Sequence, residues 1–238
     1  MSLSAFQHVL SALVADRAFR EAVRGDAALV LAGYDLSPRE VRRLATMAAT
    51  RGMMASGKLY RLNRWMPLHR CLPRTLAALC PGLPGLIEGF WQTYPETRLQ
   101  FEEEVQRFAA FVGAQTAAGA VIPPLAADTL AFEAAACRLL FRIQDQAAVP
   151  ASSAMRVRIN SSVAVVRLQT EPTAVFTGRA DAGLPGEYYV LLDARGPELQ
   201  ATAVPVAVGR VLALAEAGMA VADDAASRAA RVAGWLLD

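Results

Sequence analysis

The chain has 238 residues, of which 54% are hydrophobic and 19% charged, with a formal net charge of +2. That length supports a buried core in one large domain or two modest ones. With no run of about 18 uncharged apolar residues, a membrane-spanning helix is not expected, and so small a net charge implies no partner by itself. Met1 to Leu13 lacks a basic segment before an apolar stretch, so a secretory signal is not expected either. Three widely spaced cysteines, Cys71, Cys80 and Cys137, suit a reducing, cytoplasmic location without a disulfide framework.

Residues 1–50 read as an N-terminal helical module. Phe6, Val9, Leu10 and Leu13 share one helical face, Gly25-Asp26 interrupts the pattern, and Gly33 closes a short helix. Ser37-Pro38-Arg39-Glu40 carries a serine N-cap, a proline at the first helical position and a glutamate at the third. Arg51 to Lys58, with Gly52, Ser56 and Gly57, reads as a linker.

Residues 58–146 read as a central helical bundle. Short helices around Tyr60 to Trp65 and Leu76 to Leu86 are separated by proline and glycine stops, and Phe101, Val105, Phe108 and Val112 recur at i, i+4, i+7 and i+11. Gly113 to Ala120 is small and loose. Pro123-Pro124 precedes a long helix from about Leu125 to Gln144, with Phe132, Ala136, Leu139 and Ile143 as its buried stripe. Glu133 and Cys137 fall on one face of this helix. Without a histidine or a second ligand pair beside them, they are a weak metal signal.

Residues 151–238 change character. Pro150 to Ser153 reads as a linker. Met155, Val157 and Ile159 then alternate with polar residues, the period of a half-buried strand. Val163 to Leu168 is a β-branched run, and Glu187 to Asp193 and Glu198 to Val204 flank a hairpin turn at Ala194 to Pro197. Two helices, about Pro205 to Ala217 and Asp223 to Leu237, close the chain. The expected fold class is α+β: mainly helical N-terminal and central parts, then a small winged-helix-like module.

Charge is concentrated in one stretch. Arg39, Arg42, Arg43, Arg51, Lys58, Arg61, Arg64, Arg70 and Arg74 stand against Glu40 alone, a local +8 by nine minus one. Guanidinium groups favour carboxylates and phosphates, although such a run also suits a solvated face. Two histidines, His8 and His69, do not make a multi-histidine metal site, and no nucleophile elbow, zinc-helix motif, dinucleotide fingerprint or phosphate loop is present. Asp223-Asp224 sits at a helix start, where carboxylates favour the dipole. An independent catalytic activity is not expected.

Tyr60-Arg61-Leu62-Asn63-Arg64, the Leu79-Cys80-Pro81-Gly82 turn, Tyr94-Pro95-Glu96, Phe101 through Phe108 and Pro124 through Glu133 resemble, in that order, the HvfC/BufC-like DNA-binding-domain family. The likeness runs from about Tyr60 to the C-terminus. It departs at Cys80, where the family often has an aromatic residue, and at Leu125, where it has tyrosine. The family is related to the MbnC-type partner subunits of multinuclear non-heme iron-dependent oxidases. The resemblance implies a non-catalytic subunit that binds the leader of a ribosomally made precursor peptide and forms a heterodimer with the oxidase. The iron belongs to the oxidase, and no cofactor is expected on this chain.

Under that reading the candidate peptide-binding strands carry Met155, Val157, Ile159, Leu199, Ala201 and Ala203, and the partner interface carries Arg61, Asn63, Arg64, Arg70 and Arg74. The alternative is a DNA-binding transcriptional regulator, suggested by the family's name and the arginine cluster. Against it, the C-terminal helices carry only Arg210, Arg228 and Arg231, whereas a DNA reader concentrates its contacts on the recognition helix.

Overall fold

A computed structural model describes residues 3–97, 100–145, 158–179 and 183–237. In chain order the elements are α1 (Leu3–Ala15), α2 (Arg17–Gly25), α3 (Ala27–Val30), α4 (Pro38–Ala48), α5 (Arg51–Cys71), α6 (Pro73–Ala78), α7 (Leu83–Thr93), α8 (Phe101–Ala117), α9 (Pro124–Asp145), β1 (Arg158–Ile159), β2 (Val163–Thr170), α10 (Pro172–Thr177), β3 (Pro185–Asp193), β4 (Gln200–Val204), α11 (Val206–Glu216), α12 (Ala225–Val232) and β5 (Leu236–Leu237). The protein is thus mixed α and β, mostly helical with small antiparallel sheets. Among the described residues no helix is long and apolar enough to cross a membrane.

Two compact units result. One comprises residues 1–67 and 84–100, the other 68–83 and 101–238, so the chain is cut elsewhere than at 1–50, 58–146 and 151–238. The first unit packs Val9, Leu13, Val23, Leu31, Leu44, Ala48 and Met53 into one core. Its helix starts follow from the sequence. Asp16 accepts hydrogen bonds from the backbone N–H groups of Ala18 and Phe19, and Ser37 and Glu40 form the reciprocal capping box that opens α4.

The expected linker at Arg51 to Lys58 is instead the first two turns of α5. Gly57 is buried there because a neighbour leaves no room for a side chain. The buried Arg20 donates to the Leu13 carbonyl at 2.9 Å, and a Cβ on Gly57 would lie 2.7 Å from its Nη1. The glycine serves a close approach, which a linker composition mimics. Arg64, expected on the partner face, is 1% exposed, with its guanidinium over the rings of Phe90 and Tyr60. It belongs to the core, held there by cation–π attraction, and cannot meet a partner.

The second unit is built on the antiparallel sheet β2-β3-β4. Side chains alternate across it. Val166, Leu168, Val190 and Leu192 join Leu139 of α9 and Val175 of α10 on one face, while Val163 and Leu191 meet Val208, Val211, Leu212 and Ala215 of α11 on the other. Helices therefore cover both faces. The expected last helix stops at Val232, because Gly234 takes a positive φ of 70° and Leu236 then pairs with Ile159. The short helix α10 was not anticipated, though Pro172 at its first turn and Gly178 just past its end are ordinary boundary signals. The linker at Pro150 to Ser153 lies outside the described residues.

One contact sets how closely α11 approaches the sheet. A Cβ on Gly209 would lie 2.1 Å from Cγ and 2.3 Å from Cβ of the buried Tyr189. Alanine favours a helix over glycine by about 1 kcal/mol, but the overlap should outweigh that gain. Gly209→Ala is expected to destabilise the chain by about 2 kcal/mol net. Equilibrium urea unfolding checks it, and an unchanged or raised midpoint would contradict this packing.

Candidate peptide-binding groove

The two outer strands of the three-stranded sheet present very different edges. Just before β2, the Ala194 N–H donates to the Ser162 carbonyl at 2.9 Å, and on the same phase the register continues through Ala164–Leu192 and Val166–Val190. In an antiparallel ladder alternate residues bond inward. Val163, Val165, Arg167 and Gln169 therefore turn their backbone groups to the outer edge.

Both ends of that edge are already satisfied. The Val163 N–H donates to the Asn160 carbonyl at 2.9 Å. The Gln169 and Thr170 N–H groups donate to the buried Asp128 carboxyl of α9, at 3.0 Å and 2.7 Å to Oδ2. Asp128 thus pins one end of β2 to α9. Between these ends, the N–H and C=O groups of Val165 and Arg167 have no hydrogen-bond partner among the described residues.

This open stretch borders a cavity of about 460 Å³ whose other walls are α8 and α9. Its floor is apolar and narrow-chained: Val112, Leu130, Ala131, Ala134 and Ala135. Small side chains on α9 leave a slot beside the strand, which larger ones would fill. Arg138, Arg142 and Arg167 line it with positive charge. Arg138 is oriented by a relay in which it donates to Gln106 Oε1 at 2.7 Å while Gln106 Nε2 donates to the Ala134 carbonyl at 3.0 Å. Desolvation beside the groove raises the Glu216 carboxyl above its ordinary range, against the opposing pull of Arg138 and Arg142. Unpaired backbone, an apolar slot and basic side chains together suit an extended, acidic peptide.

The sequence-based positions are distributed unevenly over this geometry. Met155 and Val157 lie outside the described residues. Ile159 is in β1, which pairs with β5 and does not join the three-stranded sheet. Leu199 precedes β4 and packs half-buried against the α9 face. Ala201 and Ala203 are exposed on β4. Because Asp193 faces Gln200 and Leu191 faces Thr202 on the bonded side, their backbone groups point to the other outer edge. No helix of the cavity walls that edge. The β2 edge was included in the sequence-expected strand but not singled out; its value lies in α8 and α9 standing beside it, which no local pattern encodes.

Among the interface positions, Arg61 stacks over Trp91 and pairs with Glu88 at 3.2 Å, while Asn63, Arg70 and Arg74 are exposed. Arg61 and Asn63 belong to the first unit, Arg70 and Arg74 to the second. His8 lies against Tyr34. Glu133 and Cys137 do share a face of α9, but Glu133 accepts from the backbone N–H groups of Arg74 and Thr75 and from the Thr75 hydroxyl. Among the described residues no group of three or more His, Cys, Asp and Glu is arranged to hold a metal ion. No protein-family model matches the chain, and no curated protein matches it.

Proposed function

We propose that this chain is a non-catalytic partner subunit that binds the leader of a ribosomally synthesised precursor peptide. It presents the peptide to an iron-dependent oxidase that modifies the precursor's cysteines. The C-terminal module acts as a winged-helix-like peptide-recognition element, and the iron resides in the oxidase. The observation that carries the reading is the open edge of β2 beside the α8–α9 slot. A peptide strand laid there gains backbone hydrogen bonds from Val165 and Arg167, and its alternate side chains enter the slot. Titrating the chain with the leader of a ribosomally made, cysteine-containing precursor peptide tests the proposal. Saturable binding supports it, and no binding up to millimolar peptide rejects it.

The exposed Arg70 and Arg74 are proposed to meet an acidic surface of the oxidase. Reversing both to glutamate is expected to slow association about tenfold at low salt and to flatten its salt dependence, because exposed charges steer encounter and are screened. Association rates at low and high salt check this. An unchanged rate and slope would remove these arginines from the interface.

A DNA-binding regulator is less well supported by the C-terminal helices. Arg210 is engaged with Glu187, and Arg228 and Arg231 with Asp223, so these cations are already neutralised locally.

A further inference from the structure

The two outer strands of the three-stranded sheet are protected unequally. β2 carries Arg167 on its open stretch, and its ends are tied to Asn160 and Asp128. β4 has neither device. Its residues, Gln200-Ala201-Thr202-Ala203-Val204, are uncharged, and Pro197 and Pro205 stand beside the strand rather than within it. Gln200 to Ala203 are all exposed although successive side chains point to opposite faces, so among the described residues no element covers either face there. The ladder to β3 uses Gln200, Thr202 and Val204. The N–H and C=O groups of Ala201 and Ala203 point outward and have no partner among the described residues. A neutral, exposed edge of this kind is a template for a further strand.

The sequence of the edge identifies that strand. Ala201-Thr202-Ala203 reads the same in both directions about Thr202. Two antiparallel copies related by a two-fold axis through Thr202 set Ala201 against Ala203 of the second copy, and Ala203 against its Ala201. Both are outward-bonding positions, so each pair exchanges two hydrogen bonds and every open alanine donor and acceptor is used. Thr202 meets Thr202 at the non-bonded position, a close and favourable cross-strand pair. Sliding the copies by two residues either way does worse. One slide sets Ala201 against Pro205, which has no N–H to give. The other sets Ala203 against Leu199, which precedes β4 and packs against the α9 face. No charged side chain lies on the strand, so the symmetric contact brings no like charges together.

We propose that the chain forms a two-fold homodimer in which β4 pairs antiparallel with β4 of a second copy, with Thr202 on the axis. The two sheets join in the order β2-β3-β4-β4-β3-β2. Both β2 edges lie outermost in it, so the contact leaves them open and holds whether or not they bind a peptide. So short an edge buries less surface than a standard interface, and the dimer is half-formed on the order of 10–100 µM chain.

The test is sedimentation of the full chain from about 1 µM to about 300 µM. The expected mass is that of one chain at the low end, rising toward that of two at the high end. Ala203→Pro breaks no bond to β3 but removes one donor per copy from the contact, and it should weaken association at least about tenfold. Thr202→Lys sets like charges across the axis. It should weaken association to a similar degree at low salt and recover in part at high salt. Circular dichroism checks that both variants stay folded. T202C reports the register without disturbing the backbone, because its thiol meets its own counterpart on the axis. Mild oxidation followed by peptide mapping should find a cross-link between two copies of the peptide carrying that substitution. Ala207→Cys, exposed on α11, should give none. A wild-type chain that keeps the mass of one at the highest concentration would overturn the proposal. So would association that either folded variant leaves unchanged, or a T202C chain that dimerises without forming that cross-link.

Discussion

Replacing Val165 with proline is expected to lower affinity for the leader peptide about a hundredfold, roughly 2.7 kcal/mol, while the chain stays folded. The Val165 N–H points away from β3, so its loss breaks no bond of the native ladder. Proline on an outward position of an edge strand is the tolerated placement. The same ring removes a donor from the middle of the stretch of β2 that has no partner among the described residues, and fills space where a paired strand would lie. Ala201→Pro and Ala203→Pro change the outer edge of β4 in the same way, and they are expected to leave affinity within about twofold. Calorimetric titration of the three variants, with circular dichroism to confirm folding, reads the result. Loss of binding in the β4 variants instead would move the peptide to that edge. Loss in none of them would end the strand-addition reading.

Glu133→Ala is expected to destabilise the second unit by about 3 kcal/mol. Helix α6 begins at Pro73 after Leu72, which has no side chain able to cap it. The first-turn N–H groups of Arg74 and Thr75 are satisfied by Glu133 from α9 across a long sequence separation, and the Thr75 hydroxyl donates to the same carboxyl group. Thr75 is fully buried and Glu133 is 7% exposed, so water does not replace the lost acceptor. Orphaned buried donors carry their full desolvation cost. Glu133→Gln keeps one acceptor oxygen and should lose roughly half as much. Thr75→Val removes only the hydroxyl bond, for about 1 kcal/mol. Urea unfolding orders the three, and a Glu133→Ala loss below about 1 kcal/mol would show that water reaches these groups.

Local signals were legible where their partners are local. The Ser37 to Glu40 capping box closes within one turn, the alternation of β2, β3 and β4 shows in the residues themselves, and α9 begins at its proline pair. Misreadings arose where a distant residue decides the outcome. Gly57 reads as a linker until Arg20 is beside it, and Arg64 reads as surface charge until Phe90 covers it. The end of α12 depends on Leu236 finding Ile159. The groove follows the same rule. The sheet was foreseeable, but which edge would be walled depended on α8 and α9. Glu133 and Cys137 do share one helical face, yet what Glu133 meets there is a helix start from a remote part of the chain.

Amide hydrogen exchange of the chain, with and without saturating leader peptide, tests strand addition most directly, because it reports on individual backbone donors. Pairing at the outer edge of β2 requires the Val165 and Arg167 amides to become strongly protected on binding, while those of Ala201 and Ala203 exchange as before. Protection at Ala201 and Ala203 without any at Val165, or saturating binding that protects neither strand, would contradict it.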